Sequence, residues 1–188
     1  DMARVVWDEI RHSEETLKHL QDLGGRVGMY PIVPGNFGFR IQLDLLHRLQ
    51  DLHRRGELGG LNGLLKSRNT FGEMGDEVGA QMFDFIQADE TRHVAFGNRW
   101  VKWLLHDDPQ KLKQLGDEVE RLRIVHDKKV ATLVKQALGD TGEQKPASNG
   151  AKSDDPTPVN VISLKIAGFT DEEIAELVQK GGGNAALE

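Results

Sequence analysis

A five-residue pattern, Asp-Glu-x-Arg-His, occurs twice in this chain and brings carboxylate and imidazole groups together. The second copy, at residues 89–93, follows the first, at residues 8–12, by 81 positions (89 − 8). If the segments are helical, the Glu and His of each copy stand three residues apart and project from the same side. Oxygen and imidazole ligands at this spacing suit a divalent metal ion. The candidate ligands are Glu9, His12, Glu90 and His93.

Each copy falls on an apolar stripe with a spacing of about 3.6 residues, which predicts amphipathic helices over residues 1–23 and 77–105. The stripe of the first helix includes Met2, Val5, Val6 and Leu17. A carboxylate in an apolar core is costly unless a partner compensates it. Two explanations follow from the residues alone. The Glu/His pairs are either two unrelated satisfied groups or two halves of one metal site. Helix bundles build di-iron or di-manganese sites from Glu-x-x-His on two helices and one Glu on each of two others.

A third carboxylate, Glu57, has the position that such a site requires. It lies on the apolar stripe of a helix predicted over residues 38–68. Glu57 and Glu90 are 33 residues apart (90 − 57), and their midpoint lies within the predicted turn TFGEMGD, residues 70–76. In an antiparallel hairpin, both carboxylates would therefore lie at the same height, roughly 20 Å from the turn. Glu57 joins the candidate metal ligands.

The remaining segments complete an all-α architecture. Residues 24–37 are rich in Gly and Pro and predict a long connection. Pro109 opens a helix predicted to residue 138, and residues 139–160 predict a polar linker. The tail, residues 161–188, predicts two short helices, the second with a Thr170/Glu173 capping box. We therefore expect a helical domain over residues 1–138, followed by the linker and the helical tail.

Composition excludes several classes of protein. The 188 residues contain no cysteine, so disulfides, iron–sulfur clusters and thiolate-held zinc are excluded. The net charge of −6 argues against a nucleic-acid partner. No apolar run is long enough to span a membrane. We expect a cytoplasmic protein.

The five candidate ligands together resemble the ligand set of the ferritin-like di-iron carboxylate superfamily. The stretches LGGRVGMYP and GDEVGAQMFDFIQADETRHVAFGNRW are most similar to an uncharacterised bacterial ferritin-like family that neighbours the tRNA-modifying di-iron hydroxylases. The resemblance covers roughly residues 1–105. It implies an antiparallel four-helix bundle with extra C-terminal helices. It also implies a cofactor of two Fe ions, two Mn ions or a mixed Fe/Mn pair.

The resemblance also assigns supporting roles to the Asp and Arg of each motif. Asp8 and Asp89 would each accept a hydrogen bond from the Nδ1–H of a metal-bound His across the bundle. Arg11 and Arg92 would pair with these Asp residues. The superfamily has a further carboxylate one helix before Glu9, for which this sequence has no counterpart. We expect the first bundle helix to lie upstream of Asp1, with a mononuclear site or completion by another chain as the alternatives.

A cluster of glycines in the second predicted helix adjoins Glu57. Four glycines in about two turns weaken a helix by about 1 kcal/mol each relative to Ala. One explanation is structural: the glycines allow close helix packing or a local break. The other is functional: they leave room beside the metal for O2 or a substrate, with a π-bulge in the helix. The candidate pocket residues are Gly56 and Gly60, with Gly59 and Gly63 beside them.

Three functions stay open at this point. The first is an O2-dependent di-iron oxidase or hydroxylase with an unknown small-molecule substrate and an electron donor. The second is a ferroxidase or another metal-handling protein without an organic substrate. The third is a structural helical interaction module. The neighbouring tRNA hydroxylases suggest RNA as a substrate, but the negative charge disfavours it. The tail helices either cover the bundle or form a homodimer interface.

Overall fold

The computed structural model describes residues 1–30, 35–138, 159–181 and 185–186. The chain is mostly helical over these ranges, as the sequence predicts. The elements in chain order are α1 (Met2–Asp22), α2 (Gly35–Arg40), α3 (Leu45–Leu49), a π-helix (Gln50–Glu57), α4 (Leu58–Glu73), α5 (Glu77–Leu104), α6 (Pro109–Leu138), β1 (Val159–Asn160), α7 (Val161–Ile166), α8 (Asp171–Gly181) and β2 (Ala185–Ala186). β1 and β2 form a two-residue parallel pair. Most of the predicted linker, residues 139–158, lies outside the described residues.

The second predicted helix, over residues 38–68, is interrupted rather than continuous. Residues 41–44 separate α2 from α3, and the helix that begins at Leu45 continues to Glu73 rather than ending at residue 68. The Asp44 side chain caps α3 by accepting from the His47 N–H at 3.0 Å. Arg48 donates to the carbonyls of Arg40 and Leu43, at 3.1 and 2.8 Å. These side-chain bonds satisfy backbone groups that a continuous helix would have paired.

The turn between α4 and α5 is shorter than predicted, because Thr70–Glu73 remains helical and only residues 74–76 connect the helices. Gly75 has a φ of 78°, the left-handed region that favours glycine. Asp76 caps α5 by accepting from the Gly79 N–H at 2.8 Å. Its other carboxylate oxygen lies 2.8 Å from His19 Nε2, which ties the end of α1 to the start of α5.

Helix α5 is the central element, and α1, the π-helix, α4 and α7 all contact it. Gly97 allows the closest of these approaches, since a Cβ there would lie 2.2 Å from the Cβ of His53 in the π-helix. Helix α6 packs through Leu115 and Val119 against Leu49 and Val101. The tail packs through a separate apolar cluster against α4 and α5.

A buried ion pair fastens α2 and α6 to the π-helix. Asp51 is fully buried and accepts two hydrogen bonds in parallel from Arg123, at 3.0 and 2.8 Å. Arg40 of α2 donates to the same carboxylate at 2.9 Å. These bonds lower the pKa of Asp51, although burial alone would raise it. The π-helix is thereby held on the side that faces α6.

One face of α1 differs from the prediction. Met2, Val6 and Leu17 belong to the predicted inward stripe but are exposed, and Val6 retains 59% of its surface. Val5 and His12 are buried as expected. Among the described residues, α1 has its main helix contact with α5 alone. The exposed face therefore lacks a neighbour in the described part of the chain. No described helix is long and apolar enough to cross a membrane.

Candidate metal centre

Three helical segments bring the five predicted ligands together. Helix α1 contributes Glu9 and His12, the end of the π-helix contributes Glu57, and α5 contributes Glu90 and His93. Ligand atoms of four of these residues lie within 4.8 Å of one another: Glu9, Glu57, Glu90 and His93. This cluster of carboxylates and imidazole could hold a metal ion.

His12, the fifth candidate ligand, lies close to two of the same carboxylates. Its Nδ1 lies 3.4 Å from Glu90 and 3.7 Å from Glu9. The Nδ1 of His93 lies 3.6 Å from Glu90 and 3.8 Å from Glu9. The two imidazole rings are 6.0 Å apart between centroids. Glu9 and Glu90 therefore each approach both histidines, and these four residues could hold metal together.

The Nδ1 atom of His93 is a buried polar atom without a hydrogen-bond partner. Buried polar atoms in folded proteins are nearly always satisfied, and an exception calls for an explanation such as an ion. His93 is also fully shielded from solvent. A metal ion between the carboxylates would supply the partner that this nitrogen lacks. The donor set therefore fits a bound metal.

Each histidine makes its second contact with the Asp of the opposite motif. His12 Nε2 lies 3.3 Å from Asp89, and His93 Nε2 lies 3.2 Å from Asp8. The crossing between helices agrees with the expectation from the resemblance, but the ring atom differs. The Asp carboxylates face Nε2, not Nδ1. An Nε2–H that donates to Asp leaves the Nδ1 lone pair free to bind a metal.

Arginines neutralise the two Asp residues. Arg11 donates to Asp8 at 3.1 Å and also to Asp89, so that it joins α1 to α5. Arg92 lies 3.8 Å from Asp89, as the motif predicts. Arg4 was missed in the sequence, although it lies one helical turn before Asp8 and donates to it at 2.8 Å. Its spacing of four residues from Asp8 was the available signal.

The charges in the site displace three pKa values. Burial would raise the pKa of Asp8, but hydrogen bonds from Arg4, His93 and Arg11 lower it to about 2. Burial would lower the pKa of His93, but Glu90, Asp8 and Glu57 raise it to about 9. Burial and the neighbouring Glu90 charge raise the pKa of Glu9. Carboxylates that repel one another in this way favour the binding of a cation.

His53 is a second residue beside the candidate ligands that the sequence motifs did not identify. It is buried, and its Nδ1 lies 2.5 Å from Glu57 Oε2, one turn away in the π-helix. The available signal was its position on the apolar stripe one turn before a candidate ligand. His53 therefore orients the Glu57 carboxylate, while Gly97 provides the space that His53 occupies.

The helix is irregular beside Glu57, since Gln50–Glu57 is a π-helix that ends at this candidate ligand. The two predicted pocket glycines have different surroundings. A Cβ on Gly56 would lie 2.5 Å from the Arg40 guanidinium, whereas Gly60 is exposed and has open space around it. Gly56 thus serves close packing against Arg40. A role for these glycines in admitting O2 or a substrate stays a prediction.

The chain matches a known protein family over most of its length. A family described as a protein of unknown function (DUF455) matches residues 1–138, which include every residue of the candidate metal centre. No curated protein and no solved structure matches the chain.

Proposed function

Because the chain belongs to the DUF455 family, which is described as being of unknown function, we propose its function from the geometry of the metal centre. The protein is a non-haem dinuclear iron or manganese carboxylate protein that activates O2 as an oxidase or hydroxylase. The fold that accompanies this function is a ferritin-like antiparallel helix bundle. One observation carries the proposal: the Nδ1 atoms of two histidines lie 3.4 to 3.8 Å from the same two carboxylates, and each histidine approaches a different oxygen of each carboxylate.

The ligand types favour iron or manganese. The centre offers imidazole nitrogen and carboxylate oxygen, and the chain has no thiolate. Such ligands suit Fe(II) and Mn(II). Glu9, Glu57 and Glu90 carry three negative charges when ionised, so one divalent ion leaves net negative charge in a half-buried site. Two divalent ions would bring four positive charges against these three, so a fourth carboxylate in the centre would balance two ions.

Two Fe(II) ions in this centre would supply the electrons that reduce O2. The chain's own residues hold the ligands in place. Asp8 and Asp89 fix the ring orientation of His93 and His12, and His53 fixes Glu57. Asp8 and Asp89 are buried beside the centre, and the arginines that pair with them are partly exposed. Preorganised ligands of this kind preserve the geometry of a centre while its charge changes.

The side of the centre at Glu9 is open. The Glu9 side chain keeps 49% of its surface, and the exposed Val6 and Ile10 flank it on α1. An apolar helix face around a half-exposed ligand fits a further helix that carries another carboxylate. We propose that a helix outside the described residues covers this face, with a second chain as the alternative source.

Metal content is the direct test. The protein is purified without a His tag, loaded anaerobically with Fe(II) and analysed for bound metal. About two Fe per chain is the expected result, with a large loss in Glu90→Ala. Glu14→Ala is the matched control, because Glu14 is exposed on α1. O2 consumption in the presence of candidate small-molecule substrates and an electron donor then tests the oxidase or hydroxylase reading.

The other outcomes identify the other functions. Iron uptake well beyond two equivalents per chain would contradict the oxidase or hydroxylase function and indicate a ferroxidase or storage function. Absence of bound metal after anaerobic loading, with the helical circular dichroism unchanged, would overturn the proposal and leave a structural helix bundle.

A further inference from the structure

The C-terminal tail lies outside the region that matches the family, residues 1–138, yet it is docked on the bundle. The Asn98 side chain of α5 donates to the carbonyls of Ala167 and Gly168, at 3.0 and 2.9 Å. The Asn160 N–H donates to Asn62 of α4 at 2.9 Å. The tail therefore has specific polar contacts with two helices, and it covers the bundle, one of the two roles left open by the sequence.

The tail docks beside the metal ligands. Its buried apolar side chains pack against Leu61 of α4 and Val94 of α5, which retain 1% and 0% of their surface. Leu61 follows Glu57 by one helical turn, and Val94 follows Glu90 by one turn. The tail residues of this cluster are Val161, Leu164, Ala167, Phe169 and Ile174. The tail thus shields the helix surface next to two of the ligands.

One contact joins the tail directly to the π-helix. Arg54 is buried, and it lies three residues before Glu57. Its guanidinium donates to Glu173 of α8 at 2.7 Å and lies over the Phe169 ring, 5.0 Å from the ring centroid. The other two nitrogens of Arg54 are buried without a hydrogen-bond partner. The Arg54 charge therefore depends on Glu173 for its counter-charge.

Glu173 is itself held in position from three sides. Its carboxylate accepts from the Thr170 N–H at 2.9 Å, which completes the capping box predicted from the sequence. Lys102 of α5 lies 3.1 Å from the same carboxylate. Burial would raise the pKa of Glu173, but Thr170, Lys102 and Arg54 lower it, so the group is charged at neutral pH. A fixed anion of the tail thus contacts the π-helix at Arg54, whereas Arg123 of α6 contacts it at Asp51.

We propose that residues 159–181 position the metal ligand Glu57 by holding the π-helix in place. Glu173 is the positioning residue, and it acts on the π-helix through Arg54. The effect on metal binding rests on the proposed function. The contact between the tail and the π-helix does not depend on that function. A π-helix is rare and occurs mostly as single-turn bulges within α-helices, frequently at functional sites. Contacts with α6 and with the tail restrict the local opening of this segment.

The first experiment uses the metal-free full chain and Glu173→Gln. Gln keeps the acceptor of the capping box while it removes the charge. Amide hydrogen exchange over residues 50–57 should accelerate about tenfold or more, and exchange within α6 should stay unchanged. The matched control is Glu172→Gln, since Glu172 is exposed in the first turn of the same helix. Unchanged exchange over residues 50–57 in Glu173→Gln would overturn the proposal.

A double-mutant comparison separates positioning from general loss of stability. Arg54→Met removes the charge through which Glu173 acts. In that background, Glu173→Gln should cause no further acceleration over residues 50–57, because the two residues share one contact. An equal acceleration in both backgrounds would show that Glu173 acts only on the tail, and would overturn the proposal.

Cobalt(II) tests the consequence for the metal. The affinity of Glu173→Gln for Co(II) should be about tenfold or more lower than that of the unsubstituted protein, and the visible absorption spectrum of the bound Co(II) should change. Changed exchange with unchanged Co(II) affinity and spectrum would overturn the link to Glu57. If the unsubstituted protein binds no Co(II), the proposed function fails, while the exchange data still decide whether Glu173 holds the π-helix.

Discussion

The His93 imidazole directs its Nε2 atom to Asp8 of a different helix, at 3.2 Å, and both side chains are fully excluded from solvent. His12 and Asp89 make the reciprocal contact at 3.3 Å. The two copies of the motif therefore exchange their Asp residues. Each copy is incomplete by itself, because the carboxylate that orients its histidine belongs to the other copy.

This exchange predicts that Asp8→Asn weakens metal binding although Asp8 is not a ligand. Asn keeps the size of the side chain but loses the charge that holds the His93 Nε2–H. We expect Co(II) or Fe(II) affinity to fall about 10- to 100-fold, as measured by competition with a chelator. Asp117→Asn is the control, since Asp117 is exposed on α6. Equal affinities in the two variants would contradict a role for Asp8.

The close approach of the π-helix to α5 predicts a strong effect of Gly97→Ala. A Cβ at Gly97 would lie 2.2 Å from the Cβ of His53, so the two helices must separate. We expect a loss of about 1–3 kcal/mol in the free energy of unfolding. Metal binding should weaken as well, because His53 orients Glu57. Urea unfolding and metal titration measure the two effects.

Gly63→Ala provides the matched control on α4, because a Cβ there meets no atom within 4 Å. An Ala in a helix is favoured over Gly by about 1 kcal/mol, so this variant should be at least as stable as the unsubstituted protein. Similar destabilisation by both substitutions would mean that the Gly97 contact is not the cause.

The buried pair Asp51–Arg123 predicts a large effect on stability. Asp51→Ala leaves the Arg123 guanidinium buried without its carboxylate, which costs about 3–5 kcal/mol in comparable pairs. Asp117→Ala on the surface should change the free energy of unfolding by no more than about 0.5 kcal/mol. Denaturant unfolding of the metal-free protein distinguishes the two values, and an Asp51→Ala loss as small as that of the control would contradict the assignment.

The same pair predicts a dependence of stability on pH. The folded pKa of Asp51 is lowered from its ordinary value of 3.8 by Arg123 and Arg40, against the opposing effect of burial. The stabilisation is therefore fully present above pH 3.8 and is lost as the pH falls through the lower folded pKa. We expect the stability difference between the unsubstituted protein and Asp51→Asn/Arg123→Met to shrink over this range. A difference that stays constant down to pH 2 would contradict this linkage.

The sequence was most informative where the signal is local and periodic. The apolar stripe and the Glu-x-x-His spacing both repeat within a few turns, so they predicted α1, α5 and four of the five candidate ligands that the structure brings close together. The height of Glu57 opposite Glu90 followed from counting residues on either side of a turn. The prediction was wrong at residues 41–44, because the Arg48 side chain satisfies carbonyls that precede its own helix. The exposed Val6 was also assigned to the wrong face, since a stripe does not reveal how many neighbours a helix has.

The chain by itself determined which side chains could bind a metal and which helical faces would present them, because the spacing along a helix sets the direction of each side chain. Only the tertiary structure decided which Asp orients which histidine, that His53 supports Glu57, and that Glu173 reaches Arg54 across 119 positions of the chain. These contacts join segments far apart in the sequence. Their geometry depends on how closely the helices approach, as at Gly97, and no periodicity within a single segment encodes that distance.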